Sequence, residues 1–251
     1  LSIDNSTVKI ITTGKQYVYN RLDSSAKGIK ADGNLTINSG TIWVKTPGGE
    51  GSEGIESKST LTVNGGDVSV YSYDDCMNAS KSIVINGGNI YCYSSGNDGV
   101  DSNGTTSPEE GFDCDQNTFK ITGGTILGIG GGTSTPTSSV CTQRTVIYGG
   151  SGSKGTLLSI QGSDQVMSYT IPRAYSQMTL LFSSSKLASG TTYTIYTGGS
   201  VTGGTEFYGL TVGGTYTTGS QVATFTPSSM VTSVGNVSSG GPGGGGGGWH
   251  W

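Results

Sequence analysis

Apolar and polar residues alternate in short runs along the first half of the chain, and the runs are in register with one another. GIKADGNLTINSGTIWVK from Gly28 returns as GIESKSTLTVNGGDVSVY from Gly54, as CMNASKSIVINGGNIYCY from Cys76 and as GFDCDQNTFKITGGTILG from Gly111. Counted from the first residue of each copy, position eight holds Leu35, Leu61 and Ile83, and position ten holds Ile37, Val63 and Ile85. Position fifteen holds Ile42, Val68 and Ile90, and position seventeen Val44, Val70 and Cys92. The fourth copy carries one extra residue, so Phe119, Ile121 and Ile126 take the same columns. Thr36, Thr62 and Val84 fall between them, and this period of two marks strands with one buried face. Copies of roughly 20 to 25 residues bury too little apolar surface to stand alone, so they must stack.

Asn38, Asn64, Asn86 and Thr122 follow the first strand of each copy, and Ser39-Gly40, Gly65-Gly66, Gly87-Gly88 and Gly123-Gly124 come next. Asn and Gly tolerate the left-handed backbone of a tight bend, and stacked Asn amides can bond from one coil to the next. The fold class this predicts is all-β, a right-handed parallel β-helix (solenoid) over residues 28–140. Residues 1–27, with Val8 and Ile10 in strand-like alternation, are expected to cap its open end. Residues 141–239 lose the period but keep β character with Gly-Gly and Ser-Gly punctuation, which predicts a cap of hairpins or irregular coils packed on the solenoid. A copy opening at Gly99 has only twelve residues before the next begins, too few for a full coil.

Composition narrows the setting. The chain of 251 residues has 45 glycines, 12% charged residues and a pI near 4.9, which fits a secreted or cell-surface β protein. Three arginines (Arg21, Arg144, Arg173) and no basic run argue against nucleic-acid binding. No apolar stretch is long enough to span a membrane, and no basic-then-apolar leader opens at Leu1, so the chain reads as already processed. Four cysteines do not make a disulfide scaffold; Cys114 with Cys141 is the one candidate pair, and four buried thiols are the alternative.

Twelve of the 17 acidic residues lie between Glu50 and Asp115 against only Lys58 and Lys81, a net charge of −10 that leaves +6 for the rest. Glu53, Asp75, Asp98 and Glu110 each directly precede a copy, and Glu56, Asp101 and Asp113 hold its third position together with Asn78. Stacked carboxylates about 4.8 Å apart repel by about 3 to 4 kcal/mol at an effective dielectric near 20. Protonation is one remedy. The other is a hard divalent cation with all-oxygen ligands, and calcium is the expected one. Loops such as GGEGSEG could instead fan their charges into water, and it is the recurrence in register that favours an ion.

Positions sixteen and eighteen face outward and carry Trp43, Ser69 and Tyr91, then Lys45, Tyr71 and Tyr93. Trp43, Tyr71, Tyr91 and Tyr93 form a candidate platform for sugar rings, unless the C-terminal half or a neighbouring chain covers it. The closing GGPGGGGGGWHW cannot order alone, and Trp249, His250 and Trp251 are candidate anchors for docking on an adjacent subunit or on the chain itself.

The NGG turns, the segment PEEGFDCDQNTFKITGG (Pro108–Gly124) and the run LASGTTYTIYTGGSV (Leu187–Val201) resemble a family of bacterial carbohydrate-binding β-helix domains over most of residues 1–236. That family is similar to pectate lyases in fold, contains calcium and is associated with cellulose and polygalacturonate. The resemblance implies calcium at Glu53, Asp75, Asp98, Asp101, Glu109, Glu110 and Asp113. With Glu56 from the columns and Asp74 beside Asp75, these are the candidate metal ligands. A lyase would need a strong base beside the calcium, and the acid-rich window offers only Lys58, Lys81 and, at its edge, Lys30. The sole histidine is His250, so histidine-based triads have no support. The expected function is polysaccharide binding without catalysis, the polymer being acidic and pectin-like or cellulose. The alternative is a self-assembling subunit of an extracellular filament.

Overall fold

Each regular copy folds into three short strands, and the strands of successive copies pair side by side. The computed structural model describes residues 1–20, 22–96, 109–115 and 117–238. Asp98, Asp101 and the opening of the short copy at Gly99 lie outside the described residues, as do Trp249, His250 and Trp251. Among the described residues the chain is all β, with 27 strands and no helix, so no helix there is long and apolar enough to cross a membrane.

Three sheets carry the repeats. One orders Ser2–Ile3, Leu35–Ile37, Thr60–Val63, Ser82–Ile85 and Thr118–Ile121, all parallel. A second orders Ile29–Ala31, Ile55–Ser57, Met77–Ala79 and Phe112–Asp113, again parallel. The alternation read from the sequence gives two strands per copy, and this sheet supplies a third, nucleated by Ile29, Ile55, Met77 and Phe112 at the second position. The largest sheet runs through Ser6–Ile11, Gly40–Thr46, Asp67–Ser72, Asn89–Ser94 and Thr125–Gly130 in parallel. It then turns antiparallel at Tyr175–Ser183 and ends with Thr145–Gly152 and Val231–Gly235. In all three sheets the copy at Gly111 pairs directly with the copy at Cys76.

The predicted inward columns form the core. Leu35, Leu61, Ile83 and Phe119 are fully buried, as are Ile42, Val68, Ile90 and Ile126. The last column changes at the fourth copy, where Gly128 lies opposite Cys92. A Cβ at Gly128 would stand 2.5 Å from the Phe112 ring, so the glycine leaves the volume that this ring fills. The turn residues also stack. Asn64 Nδ2 donates to Asn38 Oδ1 at 2.7 Å, Asn86 Nδ2 to Asn64 Oδ1 at 2.8 Å, and Thr122 Oγ1 to Asn86 Oδ1 at 2.8 Å. Gly66, Gly88 and Gly124 follow with φ of 93°, 95° and 102°. A Cβ on Gly88 would also meet the carbonyl oxygen of Gly66 at 2.7 Å, so the bend needs glycine twice over, for its dihedral and for the approach of the preceding copy.

At the N-terminal end Ser2–Ile3 and Ser6–Ile11 extend two parallel sheets, and Tyr17–Tyr19 pairs with Leu22–Ser24 in a hairpin. At the other end the segment 131–143 closes two sheets. Ser134 N–H donates to Phe112 O, Thr137 N–H to Phe119 O and Thr142 N–H to Ile121 O. Beyond it a six-stranded sheet, with antiparallel pairing throughout, gathers a second core around Tyr169, Phe182 and Ile195. All four cysteines are free and buried. Cys141 Sγ accepts the Ile121 amide at 3.3 Å and Cys114 Sγ lies 3.6 Å from Asn117 O, so the candidate Cys114–Cys141 pair is not made.

Candidate functional site

The second parallel sheet sets Lys30, Glu56, Asn78 and Asp113 side by side. Just before each strand a second column forms. Gly28 N–H donates to Glu53 O at 3.2 Å, Gly54 N–H to Asp75 O at 2.9 Å and Cys76 N–H to Glu110 O at 3.0 Å, so Lys27, Glu53, Asp75 and Glu110 follow one another. Both columns therefore open on a lysine and continue into acids.

The first acids are neutralised by those lysines. Lys27 pairs with Glu53, while Lys58 and, at 3.3 Å, Lys30 hold Glu56. Burial pushes the Glu56 carboxyl up, but the hydrogen bond from Lys58 and the charges of Lys27, Lys58 and Lys30 outweigh it and hold the group below its ordinary value. Glu53 and Glu56 are thus spoken for by lysines, a remedy the reading of the acid-rich window in isolation did not contain.

The next acids lack such partners. One carboxylate oxygen from each of Asp74, Asp75 and Glu109 lies within 4.8 Å of the others. Asp75 Oδ1 accepts the Glu110 amide at 2.7 Å, and Asn78 Nδ2 donates to Asp75 Oδ2 at 3.4 Å. Asp113 Oδ1 accepts the Asp115 amide at 2.9 Å and the Ser134 hydroxyl at 3.3 Å. Glu110 is 4% exposed and its Oε2 is buried without a hydrogen bond. Among the described residues, no lysine or arginine ion pair reaches Asp74, Asp75, Glu109, Glu110 or Asp113. Burial, reinforced by the charge of Asp74, pushes Glu109 up to about 10. Burial and the charge of Asp113 push Glu110 up to about 9. Asp75 is raised well above the carboxylate range and Asp113 is raised, in both cases chiefly by burial. Such a group of oxygens must take up protons or a cation, and its donor set is of the kind a hard divalent ion accepts. Of the sequence-derived ligands, the structure brings together Asp74, Asp75, Glu109, Glu110 and Asp113, and it separates Glu53 and Glu56 from them by charge.

The aromatic columns stand on the largest sheet. Lys9, Trp43, Ser69 and Tyr91 are consecutive partners, and Ile11, Lys45, Tyr71 and Tyr93 form the parallel row. Trp43, Tyr71 and Tyr93 are half-buried and present part of their rings. Tyr71 and Tyr93 have ring centroids 4.8 Å apart, and the Nζ atoms of Lys9 and Lys45 lie 5.2 Å from the ring centroids of Trp43 and Tyr71. Tyr91 departs from the expected exposed platform. It is 7% exposed, its hydroxyl bonds Tyr169 at 2.8 Å and its ring stacks on Tyr208 at 5.8 Å, because the C-terminal sheet folds over this end of the column. Burial pushes the Tyr91 hydroxyl well above its ordinary value.

Lys9 and Lys27 are residues the sequence reading left without a role at these sites, and Lys30 entered it only as a candidate base, not as a partner of the acids. The signal existed: carrying both acid columns back one copy from Gly54 lands on Lys27 and Lys30, and carrying the Trp43 column back lands on Lys9 once Ser6–Ile11 is recognised as a coil strand.

A family model described as carbohydrate-binding domain-containing protein matches residues 21–99 and 48–202. No curated protein and no solved structure matches the chain.

Proposed function

The chain belongs to the family of carbohydrate-binding domain-containing proteins, and on that premise we propose that it binds an extracellular polysaccharide along the face of Trp43, Lys45, Tyr71 and Tyr93. The observation that carries this reading is the row of half-exposed rings with lysines over them on one face of the parallel sheet. Sugar C–H faces stack on such rings, and the lysine ammonium groups suit the carboxylates of an acidic, pectin-like polymer. The three parallel sheets are, in this reading, the faces of a right-handed β-helix, which holds the rings in a fixed line and limits the entropy lost on binding.

Calcium is part of the proposal. Asp74, Asp75, Glu109, Glu110 and Asp113 would hold it, and the unpartnered Glu110 Oε2 supports the fit. When bound, the ion would neutralise this acid cluster and offer a bridging charge to a uronate. The chain's own residues bind and orient. Removing a sugar C5 proton takes a free base beside the ion; of the three candidates Lys30 and Lys58 are engaged by Glu56 and only Lys81 makes no ion pair among the described residues, which favours binding over lyase chemistry.

The test is titration calorimetry with polygalacturonate and pull-down on cellulose, with calcium and with chelator. Trp43→Ala and Tyr71→Ala are each expected to weaken retention about tenfold, from roughly 1 to 2 kcal/mol of ring stacking. Unchanged retention in both variants would refute the assignment of the face.

A further inference from the structure

The largest sheet has two free ends that match. It begins at Ser6–Ile11 and finishes at Val231–Gly235, and counting orientations through the two antiparallel steps makes these edge strands parallel to each other. The same apolar core is half open at both. Ile3, Val8, Ile10 and Ala31 are partly buried against it at one end, and Met230, Val231 and Val237 at the other. Of the eight most exposed large apolar side chains among the described residues, five (Leu1, Ile11, Tyr17, Val18 and Tyr19) belong to the first 19 residues. The other two parallel sheets are closed at their far end by the segment 131–143, so among the described residues the largest of the three is the one with an open edge at each end.

The backbone phases of the two edges also mesh. Thr12 N–H donates to Lys45 O, so in Ser6–Ile11 the even residues bond inward and Thr7, Lys9 and Ile11 turn their amides to the free edge. Thr145 N–H donates to Met230 O and Asn236 N–H to Gly149 O, which leaves the amides of Val231, Ser233 and Gly235 on the opposite free edge. Side-chain period fixes the faces. Val231 and Ser233 fall opposite Val8 and Ile10 above the shared core, with Thr232 opposite Lys9 and Val234 opposite Ile11.

We propose that the Val231–Gly235 edge of one copy pairs in parallel with the Ser6–Ile11 edge of a second copy, joining copies head to tail into a filament with one continuous sheet. The partner is the chain itself. The contact is heterologous, so each copy keeps one free edge of either kind and growth does not close. It needs no sugar, and it stands or falls separately from the carbohydrate reading.

The test uses the full chain in sugar-free buffer, followed by sedimentation and negative-stain microscopy. Wild-type protein is expected to form concentration-dependent linear polymers. Thr7→Pro and Ser233→Pro each remove an outward amide without touching an internal ladder bond, which an edge strand tolerates. Each variant alone should be monomeric. Mixed, they should give dimers and nothing larger, because only one competent edge of each kind remains. Monomeric wild type at every concentration, polymers from either variant, or polymers longer than dimers from the mixture would overturn the proposal. Should a proline variant lose its circular dichroism spectrum, the double variant Lys9→Cys/Thr232→Cys decides. Those cysteines face each other only across the new contact, so oxidation should yield a covalent ladder of multimers on a denaturing gel, and its absence counts against the pairing.

Discussion

Replacing Glu110 by glutamine should stabilise the calcium-free protein and destabilise the calcium-loaded one. Glu110 is 4% exposed, and burial beside Asp113 pushes its carboxyl from an ordinary 4.5 up to about 9. At pH 7 without a cation, the folded protein therefore keeps this proton while the unfolded chain has lost it. Below pH 4.5 both states are protonated and the group has no effect. Between 4.5 and 7 folding becomes less favourable by about 1.4 kcal/mol per pH unit, on the order of 3 kcal/mol in all. Glutamine is neutral throughout, so Glu110→Gln should recover that amount in chelator and flatten the fall in stability as pH rises. For a chain of this size the gain corresponds to roughly 6 to 12 °C in Tm. With calcium the sign reverses, since the ion favours the ionised carboxylate and glutamine offers one neutral oxygen. Scanning calorimetry of both proteins at pH 5 and pH 7, with calcium and with chelator, reads all four corners. A Glu110→Gln variant less stable than wild type in chelator at pH 7 would refute the reasoning.

Gly88→Ala should cost more than about 2 kcal/mol, from a φ of 95° and a Cβ 2.7 Å from Gly66 O, whereas Gly49→Ala, at φ 106° with open space around it, should lose only about 1 kcal/mol in urea unfolding. Tyr91→Phe removes the bond to the Tyr169 hydroxyl and should cost about 1 kcal/mol while leaving polysaccharide affinity unchanged, because the ring is under the C-terminal sheet; a clear loss of affinity in calorimetry would return Tyr91 to the binding face. Glu56→Gln should destabilise at pH 7 and match wild type in acid. The lysines hold the Glu56 carboxyl below its ordinary value, so its contribution is present above the unfolded value and fades as pH falls through the lower folded one. Equal denaturation midpoints of the two proteins at pH 7 would show that the lysine cluster contributes nothing.

The columns were legible because a strand's period of two and a coil's fixed length leave few ways to stack Leu35, Leu61, Ile83 and Phe119. The Asn38–Asn64–Asn86 ladder and its glycine bends were legible for the same reason. The third strand of each copy was not, since a three-residue run such as Ile29–Ala31 holds one apolar residue and shows no period. Glu53, Asp75 and Glu110 stand in one column and Glu56, Asn78 and Asp113 in another, as their spacing implied, while Asp98 and Asp101 lie outside the described residues; a charge count confined to residues 50–115 hid Lys27 and Lys30, which arrive from the preceding copy. Tyr91 illustrates a different limit. Whether an outward column meets water depends on where a remote sheet lands, and residues 157–212 carry no repeat that would register them against it.

The late arrival of Tyr175–Ser183 has a consequence for how the chain comes into being. Each strand from Gly40 to Gly130 in the largest sheet finds its neighbour in the copy before it, so a chain emerging N-terminus first can add strand to strand, each templated by its predecessor. Thr145–Gly152 cannot join on emergence, because the strand that must lie between it and Thr125–Gly130 is synthesised afterwards. Growth of the largest sheet therefore stalls at Gly130 while residues 131–143 still bond the other two sheets, and a nascent or truncated chain ending before Tyr175 presents a sticky, half-finished rim.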